Sequence, residues 1–261
     1  MLYLSEISRT GAAEGYPFTV PAVLGLTKFV FTSPITVICG DNGCGKTTFI
    51  ELIVRLTGCN RIKDTQQDKF RGEALEDALK CFKTVRQAIP RHKFFFSSEE
   101  FIKYIEWVER EKRYSKAMIA EIEKEYGRNT TAAGYAKMAH CGTLGALENM
   151  YSADLMKVSH GEGFMEFFDR RLAPEGFYVM DEPEGALTYR NQYNLAVKIR
   201  EAAKNGCQFI VATHSPVIAA IPEADIYQCE DGVFEKRCYE QLDNIGFLEM
   251  FMRRRDMLFK D

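Results

Sequence analysis

The sequence has no cysteine pair spaced as Cys-x-x-Cys, although it carries eight cysteines, and this argues against a zinc ribbon. It has no apolar run near the ~20 residues that a bilayer-spanning helix needs, so no membrane span is expected. The N-terminal MLYLSEISRTG lacks a basic segment leading into an apolar one, so no signal peptide is expected either. There is little excess of charge. A net charge of -3 gives no global attraction to nucleic acid or to an anionic membrane, while leaving room for a local basic patch. Internal repeats and low-complexity segments are missing. The expectation is a cytosolic, reduced protein of 261 residues, organised as a single domain over 1–261 with a lobe inserted in it.

What is present centres on Ile35 to Thr48, ITVICGDNGCGKTT. Ile35 to Cys39 is a short β-rich apolar run, suited to a buried strand. Gly40, Asp41, Asn42 and Gly43 break it. From Lys46 the apolar spacing becomes helical. Strand, Gly-x-x-x-x-Gly-Lys-Thr and helix thus stand in the order of a phosphate-binding loop. Gly40, Asp41, Asn42, Gly43, Cys44, Gly45, Lys46, Thr47 and Thr48 are the expected contacts. Backbone N–H groups of such a loop form an anion nest, and the helix end adds partial positive charge. Lys46 would reach the β- and γ-phosphates, and the Thr47 hydroxyl would ligand Mg²⁺.

Residues 1–34 read as small antiparallel strands, with Tyr16 either stacking on an adenine or buried beside Pro17 and Phe18. Residues 73–88 read as a helix through Leu75, Leu79, Phe82 and Val85. Phe94 to Phe96 read as a strand, and Glu100 to Tyr126 as one charged helix stopped by Gly127 and without a partner helix of similar length. Thr130 to Val158 has weak periodicity and is expected to be flexible or partner-dependent; 100–158 make up the helical insertion lobe. Phe164–Leu172 and Tyr189–Lys204 read as helices and Cys207–Thr213 as a strand. A hairpin over Ala224–Tyr239 turns at Asp231-Gly232, and a terminal helix bears Arg253, Arg254 and Arg255. Alternation of strands and helices around a phosphate loop implies an α/β three-layer core with a mainly parallel sheet.

The strand Gly176 to Met180 runs into Asp181-Glu182-Pro183. Buried carboxylates need compensation, and Mg²⁺ at Asp181 supplies it, with Glu182 placed as general base toward water. His214 ends another apolar strand, which by itself fits a hydrogen-bonded core histidine equally well. Ser159-His160-Gly161-Glu162-Gly163 precedes a helix and offers a second anion site.

Together these segments resemble the ATP-binding-cassette ATPase superfamily, in the branch with SMC and double-strand-break-repair ATPases, and more narrowly the stand-alone bacterial AAA_21/ABC-type ATPases. The resemblance makes Gly40 to Thr48 Walker A, and Val179 to Glu182 the end of Walker B with its catalytic glutamate. Ser159, Gly161 and Glu162 stand in the signature loop, Glu184 to Leu187 in the D-loop, and His214 as the switch histidine. It implies ATP and Mg²⁺ as ligands, a head-to-tail homodimer around two nucleotides, and a protein partner. Departures are His160 and Glu162 in the signature, Gly185 in the D-loop, and Glu99 in place of the usual glutamine as a candidate Mg²⁺ contact. Cys44 is open to reading as a redox handle or as a small-residue substitution. The implied function is a soluble ATPase controlling a partner in DNA maintenance or phage defence. A nucleotide-dependent scaffold with little turnover, or a transporter's energy subunit, are the alternatives. Duplex-DNA binding at Arg253 to Arg255 is a subsidiary expectation.

Overall fold

A computed structural model of the chain describes residues 1–11, 14–62, 75–149 and 160–259. They form two compact units, Met1–Ser98 with Arg171–Asp261, and Glu99–Arg170.

The first unit holds two sheets. In the smaller, β1 (Leu4–Arg9) lies between β2 (Lys28–Val30) and β4 (Phe82–Arg86), both antiparallel to it. The larger has the order β5 (His92–Ser97), β6 (Gly176–Asp181), β7 (Gln208–Ala212), β3 (Ile35–Gly40), β8 (Asp225–Glu230) and β9 (Val233–Arg237). All neighbours in it pair parallel except β8 with β9. This is the α/β, mainly parallel architecture with a small antiparallel part that the sequence implied. β6 and β7 are buried along their whole length, and β3 up to Cys39, because helices cover a parallel sheet on both faces and leave no polar alternation.

The helix α2 (Lys46–Thr57) leaves the loop after β3 and buries Phe49, Ile50, Leu52, Ile53 and Val54. Phe29 of β2 meets Phe49 of α2 and Phe234 of β9 at ring-centroid distances of 5.2 and 5.3 Å, so one aromatic cluster joins the two sheets. The buried Gln208 stitches them again. Its Oε1 accepts from the Tyr3 and Leu4 amides at 2.7 and 2.9 Å, and its Nε2 donates to the Leu4 carbonyl at 2.8 Å. A short helix, α1 (Pro21–Leu24), precedes β2. Of the segment expected to be a helix over 73–88, the described residues are helical at 75–79 and then become β4. Pairing with β1 decides the outcome, since Val85 at a helical position is exposed on the strand.

The second unit is helical. Following α3 (Ser98–Tyr126) come α4 (Thr131–Asn149) and α5 (His160–Arg171). The stop at Gly127 holds, with φ 82°, and the Thr130 hydroxyl accepts from the Ala133 amide at 3.1 Å. Of the stretch Thr130–Val158, expected to be flexible or partner-dependent, residues 131–149 are helical and 150–158 lie outside the described residues. Lys137 of α4 pairs with Glu123 of α3 at 2.6 Å, so α4 runs back along it. Its Ala- and Gly-rich composition hid the helix, because small residues give no sharp apolar stripe. Phe101 packs edge-on against Phe164 and Phe167 of α5, both at 5.2 Å.

The chain then returns to the first unit through β6, a 3₁₀ turn at Pro183–Ala186 and α6 (Tyr189–Lys204). Next come β7 and α7 (Pro216–Ala219), then the hairpin of β8 and β9, turning through Asp231 and Gly232 with φ 46° and 83° as a tight hairpin requires. A second 3₁₀ turn at Tyr239–Gln241 leads into α8 (Asp243–Leu258).

Candidate functional site

The carboxyl ends of β3, β6 and β7 are neighbours in the order β6, β7, β3, and the phosphate loop, Asp181, Glu182 and His214 leave from them. In open α/β sheets ligands bind outside these ends, because the loops there diverge and helix N-termini converge.

The loop Asp41 to Gly45 is held open by glycine. Gly45 has φ 103°, and a Cβ there would lie 2.6 Å from the Val20 side chain and 2.8 Å from that of Ala22. Both the left-handed backbone and the close approach exclude a larger residue. Gly45→Ala is expected to destabilise the fold by about 1–3 kcal/mol, which urea unfolding measures.

Lys46 is 4% exposed. Its ammonium donates to the carbonyls of Gly40 and Asp41 at 2.8 and 3.0 Å and lies 3.8 Å from the Cys44 thiol. The lysine thus bridges the two ends of the loop. Cys229, buried under the loop, donates to the Cys44 carbonyl at 3.7 Å, and burial pushes its thiol up to about 12. Asp41, Asn42, Gly43 and Thr47 are exposed on the open side.

Thr47 Oγ1 donates to Asp181 Oδ1 at 3.4 Å. Asp181 is nearly buried, and burial above all, with Glu182 and Glu184 adding to it, pushes its carboxyl up to about 7, while the Thr47 hydrogen bond and Lys46 act the other way. A hard cation fits this arrangement: the donors are a carboxylate and a hydroxyl oxygen, and a positive charge there relieves the cost of burying the carboxylate. Among the described residues no three His, Cys, Asp or Glu side chains converge as a metal cage. A Mg²⁺ site of the phosphate-loop kind needs none, since it takes few protein ligands together with phosphate oxygens and water.

The Asp181 shift fixes a sign. The folded state holds the proton more tightly than the unfolded chain, so the stabilisation is complete below the ordinary value of 3.8 and is lost as pH rises through about 7. Without nucleotide or metal, the melting temperature is expected to fall between pH 5 and pH 8. In Asp181→Asn that slope flattens. Thermal unfolding of both proteins across this range checks it.

Glu182 stands just beyond β6 in a left-handed conformation, φ 45° and ψ 52°, which is strained for a non-glycine residue. Its amide donates to the Ala212 carbonyl of β7 at 2.9 Å, and its carbonyl accepts from the Ser98 hydroxyl at 2.5 Å. The side chain emerges half exposed, with Oε1 3.4 Å from His214 Nε2. No hydrogen bond forms at that separation, and Nε2 is buried without a hydrogen-bond partner. A carboxylate and an imidazole therefore face one another at the strand ends.

Sequence reading missed what Glu184 does. The resemblance puts it in the D-loop segment, yet its carboxylate turns to the β7 exit. Oε2 accepts from the Thr213 hydroxyl at 2.7 Å, and Oε1 from the amides of His214 and Ser215 at 2.5 and 3.1 Å. Three acids within Asp181 to Glu184 were the available signal. Gly185 has its reason too: a Cβ there would meet the Ser98 side chain at 3.2 Å.

Glu99 lies in the first turn of α3 and pairs with Lys103 at 2.5 Å. Gly161 and Glu162 lie inside the first turn of α5 rather than in a loop before it, and Ser159 falls outside the described residues. Tyr16 is half-buried. Arg253 and Arg255 each have an acid of their own helix beside them, Glu249 at 3.7 Å and Asp256 at 3.1 Å. No helix among the described residues is long and apolar enough to cross a membrane.

Residues 23–135 match the AAA_23 family of AAA domains, which takes in the phosphate loop and α2. No curated protein matches the chain. Among solved structures, similarity extends to an inward-facing metal-chelate type ABC transporter, at 15% identity and TM-score 0.48, covering 97% of this chain and 90% of that one. A Pyrococcus furiosus Smc head domain, bound to the C-terminal domain of ScpA, has 13% identity and TM-score 0.42, with 100% of both chains covered. A nucleotide-free ATP-binding cassette from an ABC transporter has 13% identity and TM-score 0.45, also with 100% of both covered. The AAA-domain match covers the stretch that carries the phosphate-loop motif.

Proposed function

We propose that this AAA-domain protein binds ATP with Mg²⁺ at the β3, β6 and β7 ends and hydrolyses the γ-phosphate. The observation that carries the proposal is the convergence of five side chains: Lys46 and Thr47 on the loop, Asp181 against Thr47, and Glu182 facing His214. Backbone amides of Gly43 to Thr48 cradle the β- and γ-phosphates, and Lys46 exchanges its two loop carbonyls for phosphate oxygens. Thr47 and Asp181 would hold Mg²⁺, which offsets phosphate charge when bound. Glu182 takes the proton of the attacking water, and His214 donates to the γ-phosphate.

The second anion site at Ser159, Gly161 and Glu162 belongs, in this proposal, to the γ-phosphate held by another copy. ATP then draws two copies together head to tail, and hydrolysis releases them. The coupling energy is the difference in dimer affinity between the two nucleotide states. Control of a partner protein by that cycle, in DNA maintenance or phage defence, rests on the motif resemblance alone.

The test is phosphate release from Mg-ATP by the purified chain beside Asp181→Ala. Turnover by the first and background release by the second supports the proposal. ATP bound tightly by both, with no turnover by either, replaces it with a nucleotide-dependent scaffold.

A further inference from the structure

We propose that Glu184 is a positioning residue, which locks the His214 loop to the turn carrying Glu182 and so sets the protein's discrimination of a γ-phosphate. The second half rests on the ATPase reading above. The first rests on geometry. Three donors from consecutive residues, Thr213 Oγ1, His214 N and Ser215 N, all converge on the Glu184 carboxylate. Hydrogen bonds to an ionised acceptor are the strong ones, and here they satisfy backbone amides that β7 leaves unpaired at its exit.

The lock is rigid on both sides. Glu184 sits in the 3₁₀ turn Pro183–Ala186, closed by the Gly185 amide on the Glu182 carbonyl at 3.1 Å and by the Leu187 amide on the Glu184 carbonyl at 2.8 Å. The proline fixes the entry to the turn, and the approach of Gly185 to Ser98 fixes its height. Across from it, the Ser215 hydroxyl caps α7 through the amides of Val217 and Ile218, both at 3.1 Å, and donates to Gln192 of α6 at 2.7 Å. The Asn244 side chain of α8 donates to the His214 carbonyl at 3.4 Å. His214 is therefore the one residue of the exit whose ring is left to face Glu182, while its backbone is clamped by Glu184. With the clamp intact, the imidazole and the Glu182 carboxylate move as one unit. Without it, the ring loses its fixed place beside Glu182.

Hydrogen exchange of the nucleotide-free protein and calorimetric binding of Mg-AMP-PNP and ADP test the two halves separately. In Glu184→Ala, protection of the His214 and Ser215 amides is expected to fall by about 10- to 100-fold, with the amides of β3 and β6 unchanged. The preference for AMP-PNP over ADP falls to that of His214→Ala, and the double variant loses nothing more. Glu184→Gln, whose amide oxygen still accepts from both backbone amides, restores most of the protection. Thr213→Val, a second and milder probe should the alanine variant fail to fold, shifts the preference the same way by less. Unchanged exchange in Glu184→Ala, or losses that multiply in the double variant, overturn the positioning role. If His214→Ala leaves the nucleotide preference intact while exchange behaves as expected, the clamp stands and the γ-phosphate role of His214 falls.

Discussion

Glu182→Gln is expected to lower ATP turnover by about 10²- to 10⁴-fold while leaving ATP affinity within a few-fold of the parent. The substitution is nearly isosteric and removes only basicity. The backbone that strains Glu182 into φ 45° is anchored through its amide to Ala212 and its carbonyl to Ser98, and neither bond uses the side chain. The Lys46, Thr47 and Asp181 groups that would hold nucleotide and metal do not bond to the Glu182 side chain either. Binding and chemistry should therefore separate cleanly. The same variant serves the dimer proposal, because a state that cannot hydrolyse accumulates. Light scattering with Mg-ATP is expected to double the mass of Glu182→Gln and to leave it single with ADP. A constant dimer would move the oligomer contact to another surface. A constant monomer that binds ATP would make a different partner obligatory. Full turnover by the variant would remove Glu182 as the base.

The chemistry of this site was legible in the sequence to the extent that it is local in the chain. A phosphate loop needs its glycines, lysine and threonine at fixed spacing, and a buried strand ending in Asp-Glu advertises its own desolvation cost. So the Gly40–Thr48 loop and the Asp181–Glu182 strand end could be placed before any contact was known. Helix α6 was readable to the residue, because its apolar positions Leu195, Ala196, Ile199 and Ala202 keep helical spacing and Thr188 caps it. What was hidden depends on partners. Leu79, Phe82 and Val85 keep a spacing compatible with a helix, and only the unsatisfied edge of β1 selects a strand for β4. α4 lacks a stripe, so only its pairing along α3 reveals it. Glu184 reads in the sequence only as part of the D-loop segment, because the three donors it serves come from about thirty residues further on. No local pattern records a contact of that range.

Lys46→Met is expected to weaken Mg-ATP binding by about 100-fold or more, the value of one or two charge-assisted hydrogen bonds in a sheltered loop. Methionine keeps the apolar stem of the buried side chain and deletes the ammonium, so the packing beneath the loop changes little. What changes is the pair of bonds to the Gly40 and Asp41 carbonyls, which are the ammonium's oxygen acceptors among the described residues. Asp41 is exposed and Gly40 half-buried, so water replaces the lost donor. Stability should therefore shift by no more than about 1 kcal/mol, against a binding loss several times larger. Circular dichroism melting measures the first and titration calorimetry the second. The inequality between them is the test. Equal losses would mean that Lys46 merely braces the loop, and ATP affinity within threefold of the parent would remove the loop as the nucleotide site. A binding loss well in excess of the stability loss leaves one explanation: the ammonium's principal acceptor is a phosphate, and the two carbonyls hold it in place until that phosphate arrives.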